Sequence, residues 1–132
     1  MIKNDKFQVE IVPGRNAVKS LAWGQLSPQD VEELANALVA MSKKLKPGKW
    51  GYIADPTKLD PIISKDTSEA FVNLHVVLDK NNCSALAFLD GRTAAMKQKT
   101  SRHHQSAGDG MVTEHFKDEK EALDWFSSIG IQ

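Results

Sequence analysis

At 132 residues the chain is sized for one domain, 1–132, and can bury roughly two-thirds of the surface its unfolded form exposes. Seventeen basic residues balance seventeen acidic ones, so the molecule as a whole has no field that would draw it to nucleic acid or an anionic bilayer, and any such attraction has to be local. The single cysteine, Cys83, excludes an internal disulfide; MIKNDKFQ lacks the apolar core of a signal peptide, and no apolar run approaches the roughly 20 residues of a membrane span, so a cytoplasmic protein is expected, with peripheral membrane contact left open.

Phe7 to Val12 alternates apolar with polar as a half-buried strand does, and Pro13-Gly14 turns the chain. Ala17 to Trp23 is expected to pair back as an antiparallel hairpin. Ser27-Pro28-Gln29-Asp30 supplies an N-cap, a first-turn proline and an acidic third position for a first helix. Its apolar face runs through Val31, Leu34, Ala35, Leu38, Met41 and Leu45 until Lys46-Pro47-Gly48 stops it. Trp50 to Ala54 reads as a short strand and Asp55 to Lys65 as a loop. Asp66 with Glu69 forms a capping-box pattern opening a second helix that ends near Asn81-Asn82.

Cys83 to Leu89 is nearly continuous in apolar residues, the pattern of a strand inside a sheet. Asp90-Gly91 breaks it, a third helix is predicted over Thr93 to Gln105, and Met111 to Phe116 is a last strand. Asp118 and Glu121 cap a fourth helix with Ala122, Leu123, Trp125, Phe126 and Ile129 on one face. The expected fold is therefore α/β: a single mixed β-sheet with an N-terminal antiparallel hairpin, covered by four helices.

The hairpin, the strand ending in Asp near residue 55, "SALAFLDG" leading into "RTAAMKQKTSRHH", and the closing "HFKDEKEALDWF" resemble the SpoIIAA-like family of the STAS and CRAL-TRIO-like structural group over nearly the whole chain. The resemblance implies a non-catalytic regulatory module able to engage apolar ligands or a membrane surface. STAS proteins that act as anti-sigma-factor antagonists place a phosphorylatable hydroxyl at the N-terminus of the helix after a core strand, in an Asp-Ser/Thr-Ser-Gly setting. Asp66-Thr67-Ser68 matches the first three positions, so the resemblance implies Thr67 or Ser68 as phosphoacceptor. A helix N-terminus suits a phosphate. Glu69 stands in place of the Gly, however, and the same stretch also reads as a plain capping box with solvated hydroxyls.

Other chemistry finds little support. Asp55 and Asp90 end strands, where a carboxylate-bound Mg²⁺ is worth considering, but Pro56 and Thr57 follow Asp55 and both aspartates read as turn starters. His103 and His104 are adjacent, hence about 100° apart on a helix, while His75 and His115 stand alone; no metal or cofactor is expected. Cys83 reads as a core residue, and with no nucleophile setting an enzyme is not expected.

Two surfaces carry the functional expectation. Val72 and Val76, on the side of the second helix away from its docking stripe of Ala70, Phe71, Leu74, Val77 and Leu78, form with Met96 a candidate apolar patch. The third helix is basic: Arg92, Lys97, Lys99 and Arg102, with His103 beside them, face no acidic residue between 92 and 105 and make a candidate anionic-ligand surface, framed by glycines as a lid would be. The expectation is a regulatory or ligand-binding module for an apolar or amphipathic anionic ligand or the membrane surface. The alternative is a partner-switch protein controlled by phosphorylation near Thr67. Partners are thus a protein or an amphipathic small molecule, with a homo-oligomer left open; nucleic acid ranks last, having only the basic helix behind it.

Overall fold

The computed structural model describes residues 1–60, 64–90 and 111–132. They form one mixed six-stranded sheet in sequential order: β1 (Ile2–Lys3), β2 (Phe7–Ile11), β3 (Ala17–Gly24), β4 (Trp50–Leu59), β5 (Cys83–Phe88) and β6 (Val112–His115). The pairs β1–β2 and β2–β3 are antiparallel, and β3 to β6 run parallel. Three helices are described: α1 (Pro28–Ser42) between β3 and β4, α2 (Lys65–Lys80) between β4 and β5, and α3 (Glu119–Ser128) after β6. The third predicted helix, with Arg92, Met96, Lys97, Lys99, Arg102 and His103, lies outside the described residues.

The expected hairpin forms in the register Phe7↔Ala22 to Ile11↔Val18, which turns Phe7, Val9, Val18 and Ala22 to one face. A further strand, β1, joins it through Ile2↔Val9; two residues are too few to show an alternation in sequence. α1 opens on the expected capping box. Ser27 Oγ accepts from the Asp30 amide at 3.1 Å, and the Asp30 carboxylate accepts from the Ser27 amide at 2.8 Å. The helix ends at Ser42, earlier than its apolar pattern suggests, because the backbone tightens into turns through Lys44 N–H to Met41 O and Leu45 N–H to Ser42 O. Leu45 still packs on the core from that turn.

β4 departs most from expectation, continuing to Leu59 where a loop was expected from Asp55. Pairing with β3 passes from Leu21↔Asp55 to Trp23↔Lys58, so β4 carries one residue more than its partner at Pro56-Thr57, a bulge that accommodates the proline. Asp55 Oδ1 accepts from the Thr57 amide at 3.0 Å and from its hydroxyl at 2.5 Å, so the Asp55 carboxylate fastens the bulge. α2 begins earlier than predicted: Ser64, not Asp66, is the N-cap, its Oγ accepting from the Thr67 amide at 3.4 Å.

The two faces of the sheet are unequal. Against α1 and α2 lies the larger core, with Phe7, Val18, Leu38, Trp50, Leu78 and Leu86 fully or almost fully buried. Against α3 the core is thin, built from Ile53, Ala85, Ala87, Ala122, Phe126 and Ile131. Small residues on β4 and β5 let α3 approach closely: a Cβ built on Gly51 would lie 2.5 Å from the Phe126 ring. Asp118 caps α3 as expected, accepting from the Glu121 amide at 2.9 Å, while the Glu121 carboxylate reaches the Lys117 amide rather than that of the cap itself. Ile129, expected on the apolar face, is 41% exposed because the helix ends before it.

Candidate functional site

The parallel strands end beside α2, and there the sheet leaves a cleft of about 50 Å³, room for a few water-sized groups. Phe71, Leu74 and Phe88 provide apolar wall, and Ser20, Tyr52 and His75 provide polar atoms. Ser20 and Tyr52 come from β3 and β4 and share a buried hydrogen bond of 2.5 Å. Burial pushes the Tyr52 phenol above its usual range, and the Ser20 hydrogen bond opposes that shift less strongly. Pro56 at the bulge and Leu59 at the end of β4 complete its lining.

His75 is 6% exposed, not a surface residue beside a valine patch. α2 turns Thr67, Leu74, His75 and Leu78 inward, with Ala70 and Phe71 packing on the same core. The inward stripe is rotated towards His75 relative to the predicted one, and Val72 and Val76 are half-buried; Met96, the third residue of the expected apolar patch, lies outside the described residues. The same rotation separates the two candidate hydroxyls. Thr67 is 5% exposed and its Oγ1 donates to Leu26 O at 3.4 Å, whereas Ser68 is half-buried on the first turn.

A second polar locus adjoins the cleft behind Phe88. His115, 1% exposed at the end of β6, donates from Nδ1 to the Asp90 carboxylate, 2.8 Å from Oδ2 and 3.0 Å from Oδ1. Its ring stacks on Phe88, centroids 5.0 Å apart and planes inclined by 17°. The carboxylate fixes the ring and its tautomer. In sequence Asp90 reads as a turn starter and His115 as isolated; the register Phe88↔His115 is what brings them together, a signal available only once β5 and β6 are known to be parallel neighbours. Asp55 is not part of this locus, being held by Thr57.

Among the described residues no group of three or more His, Cys, Asp or Glu is placed to hold a metal ion, and no helix is long and apolar enough to cross a membrane. Cys83 is buried at the head of β5, where its thiol donates to Ala85 O at 3.5 Å.

No protein-family model matches the chain, and no curated protein matches it. Several solved structures are similar to it, among them two that match over almost its whole length. One is an uncharacterized protein of the DUF3478 family with a SpoIIAA-like fold from Shewanella loihica PV-4, 20% identical, with a TM-score of 0.67 over 95% of this chain and 98% of that one. The other is the anti-sigma factor antagonist SpoIIAA in its unphosphorylated form, 17% identical, with a TM-score of 0.57 over 92% of this chain and 97% of that one. The chain therefore has a SpoIIAA-like, STAS-type fold, as the sequence resemblance implies.

Proposed function

We propose that the protein is a non-catalytic regulatory module that takes the apolar end of a small amphipathic anion into the cleft beside α2. The supporting observation is the cleft itself: apolar walls, a few convergent polar groups, and a position at the carboxyl ends of parallel strands, where open α/β sheets hold ligands. Its size admits the end of a chain rather than a whole ligand. The anionic end falls, in this reading, to the basic residues that follow Asp90 in sequence, Arg92, Lys97, Lys99 and Arg102, with His103. Titration of the isotope-labelled protein with decanoate tests it. Amide shifts are expected around Tyr52, His75 and Phe88, and Ala54→Leu, which adds bulk to the cleft lining, should abolish them. Lys99→Gln with Arg102→Gln should weaken binding only in its salt-dependent part. The absence of shifts at these residues with excess decanoate refutes the reading.

A second reading, a phosphorylation-controlled partner switch, is favoured by Ser68, half-exposed on the first turn of α2 near the positive end of the helix, where Glu69 beside it opposes a phosphate. The similar antagonist fold adds to it. In this reading Ser68 takes the phosphate and Thr67, turned inward on Leu26 O, does not. Phosphopeptide mapping after incubation with a kinase fraction from the source cells distinguishes the two hydroxyls, and modification of neither removes this reading.

A further inference from the structure

Independently of the cleft, α1 and α2 leave a groove of about 620 Å³ between them on the side away from the sheet. Its floor is apolar: Ala35 and Leu74 are buried and Ala70 and Val77 half-buried. Its rim is polar and exposed, with Glu32, Glu33 and Asn36 on α1 and Asn73 on α2. The charge on this rim is one-sided. α1 contains Asp30, Glu32 and Glu33 and no basic residue from Pro28 to Ser42, in a chain whose acidic and basic residues balance as a whole. Asp30 is engaged in the capping box, whereas Glu32 and Glu33 have no ion pair among the described residues.

Acidic residues early in a helix complement its dipole, which accounts for the sign of the charge but not for its place beside an open apolar floor. We propose that the groove between α1 and α2 is a docking site for a basic amphipathic helix of a partner protein, whose apolar side chains enter over Ala35, Ala70 and Val77 while its lysines or arginines meet Glu32 and Glu33. Such a helix lies between two others and presents its apolar residues at i, i+3, i+4 and i+7. α1 is 15 residues long, about 22 Å, enough to contact about four turns of it. The small side chains of Ala35 and Ala70 permit a close approach, and the carboxylates set which partner is accepted.

The test uses the full chain and three synthetic four-turn peptides: an amphipathic Leu/Lys helix, the same pattern written in Leu/Glu, and a scrambled Leu/Lys peptide of equal charge. Fluorescence anisotropy is expected to show binding of the Leu/Lys helix alone, weakening with salt. Amide shifts should fall at Ala35, Ala70, Leu74 and Val77. Glu32→Lys with Glu33→Lys, both exposed and so costing the fold only a small loss of helix-dipole complementarity, should weaken the binding at least about tenfold. Asn73→Glu should strengthen it. The proposal is overturned if the scrambled or acidic peptide binds as well, if the shifts lie elsewhere, or if none of the three binds. Concentration-dependent shifts at the same residues without peptide would also overturn it, because the occupant would then be a second copy of this chain.

Discussion

Gly51 and Tyr52 are neighbours on β4 and face opposite cores, and each decides something its neighbour cannot. Gly51 leaves the space that the Phe126 ring occupies, and Phe126 is fully buried, so the ring has no solvent to swing into when a methyl group is added. Gly51→Ala is expected to cost about 1–3 kcal/mol through overpacking. The mechanism has its own signature in a double-mutant cycle: Phe126→Leu should cost less in the Gly51→Ala background than alone, and additive urea-denaturation free energies would reject the close contact as the cause. Tyr52 is the chain's single tyrosine, so phenolate absorbance reports it alone. Its pKa is raised on folding by burial, so the protonated phenol contributes stability that is complete below the unfolded value of about 10 and is lost as pH rises above it. Phenolate absorbance is therefore expected to appear with alkaline unfolding and not ahead of it. Tyr52→Phe should flatten the alkaline loss of stability while costing about 1 kcal/mol at neutral pH, where Ser20 loses its partner. A Tyr52 that ionises near pH 10 in a still-folded protein would contradict this.

Helix starts show how far local sequence reaches. At α1 and α3 the capping side chain and the amide it serves are three residues apart with no competitor nearby, so Ser27 and Asp118 are legible as caps. At α2 two patterns overlap: Ser64 with Thr67, and Asp66 with Glu69. Tertiary packing chooses between them, because a start at Ser64 carries Thr67 onto the stripe that buries Leu74, His75 and Leu78, where its hydroxyl finds Leu26 O. Ser64→Ala is therefore expected to cost about 1 kcal/mol, and Asp66→Ala, which removes only a first-turn charge from an exposed site, a few tenths. The reverse order in thermal melts would restore Asp66 as the cap. The same limit explains the site. Its strands could be placed from periodicity, but His75 turns inward only in the observed phase of α2, and Asp90 meets His115 across 25 positions of sequence through strand pairing. The extension of β4 past Pro56 was hidden for a related reason, since a proline that stops an ordinary strand is accommodated by a bulge.

At the scale of the molecule, the alternation of strand and helix was enough to place a hairpin ahead of parallel strands, and it left open how firmly each layer is held. The layers are not equal. α1 and α2 share a large core, whereas α3 is ten residues long with only Ala122 and Phe126 fully buried. Three further ties hold it. Lys19 on β3 bridges Glu119 at 2.8 Å and Glu10 at 3.3 Å, and its pKa is raised, chiefly by the hydrogen bond to Glu119. That network is about one-third exposed and so contributes a fraction of a kcal/mol. Phe126 accepts from the Ile131 amide at 2.8 Å, which folds the tail back under the helix. Arg15, in the turn between β2 and β3, donates from Nη2 to Leu123 O at 2.6 Å and to Ser127 Oγ at 2.7 Å, fastening the second half of α3 to the hairpin across more than 100 positions of sequence. A hydrogen bond from a charged donor to a backbone carbonyl is worth more than an exposed ion pair, because the guanidinium charge strengthens it and only one partner is a flexible side chain. Arg15→Ala is thus expected to lower global stability by about 1–2 kcal/mol and to open α3 first. Amide exchange should rise in Glu119 to Ser128 while staying slow in α1, which packs in the other core. Arg15→Lys should recover little of the loss, since a single ammonium on a more flexible stem does not reproduce the fixed guanidinium plane. Uniform acceleration across all helices would mean instead that α3 and the rest of the molecule unfold as one unit, and that the clamp acts on the whole fold rather than on its thinner layer.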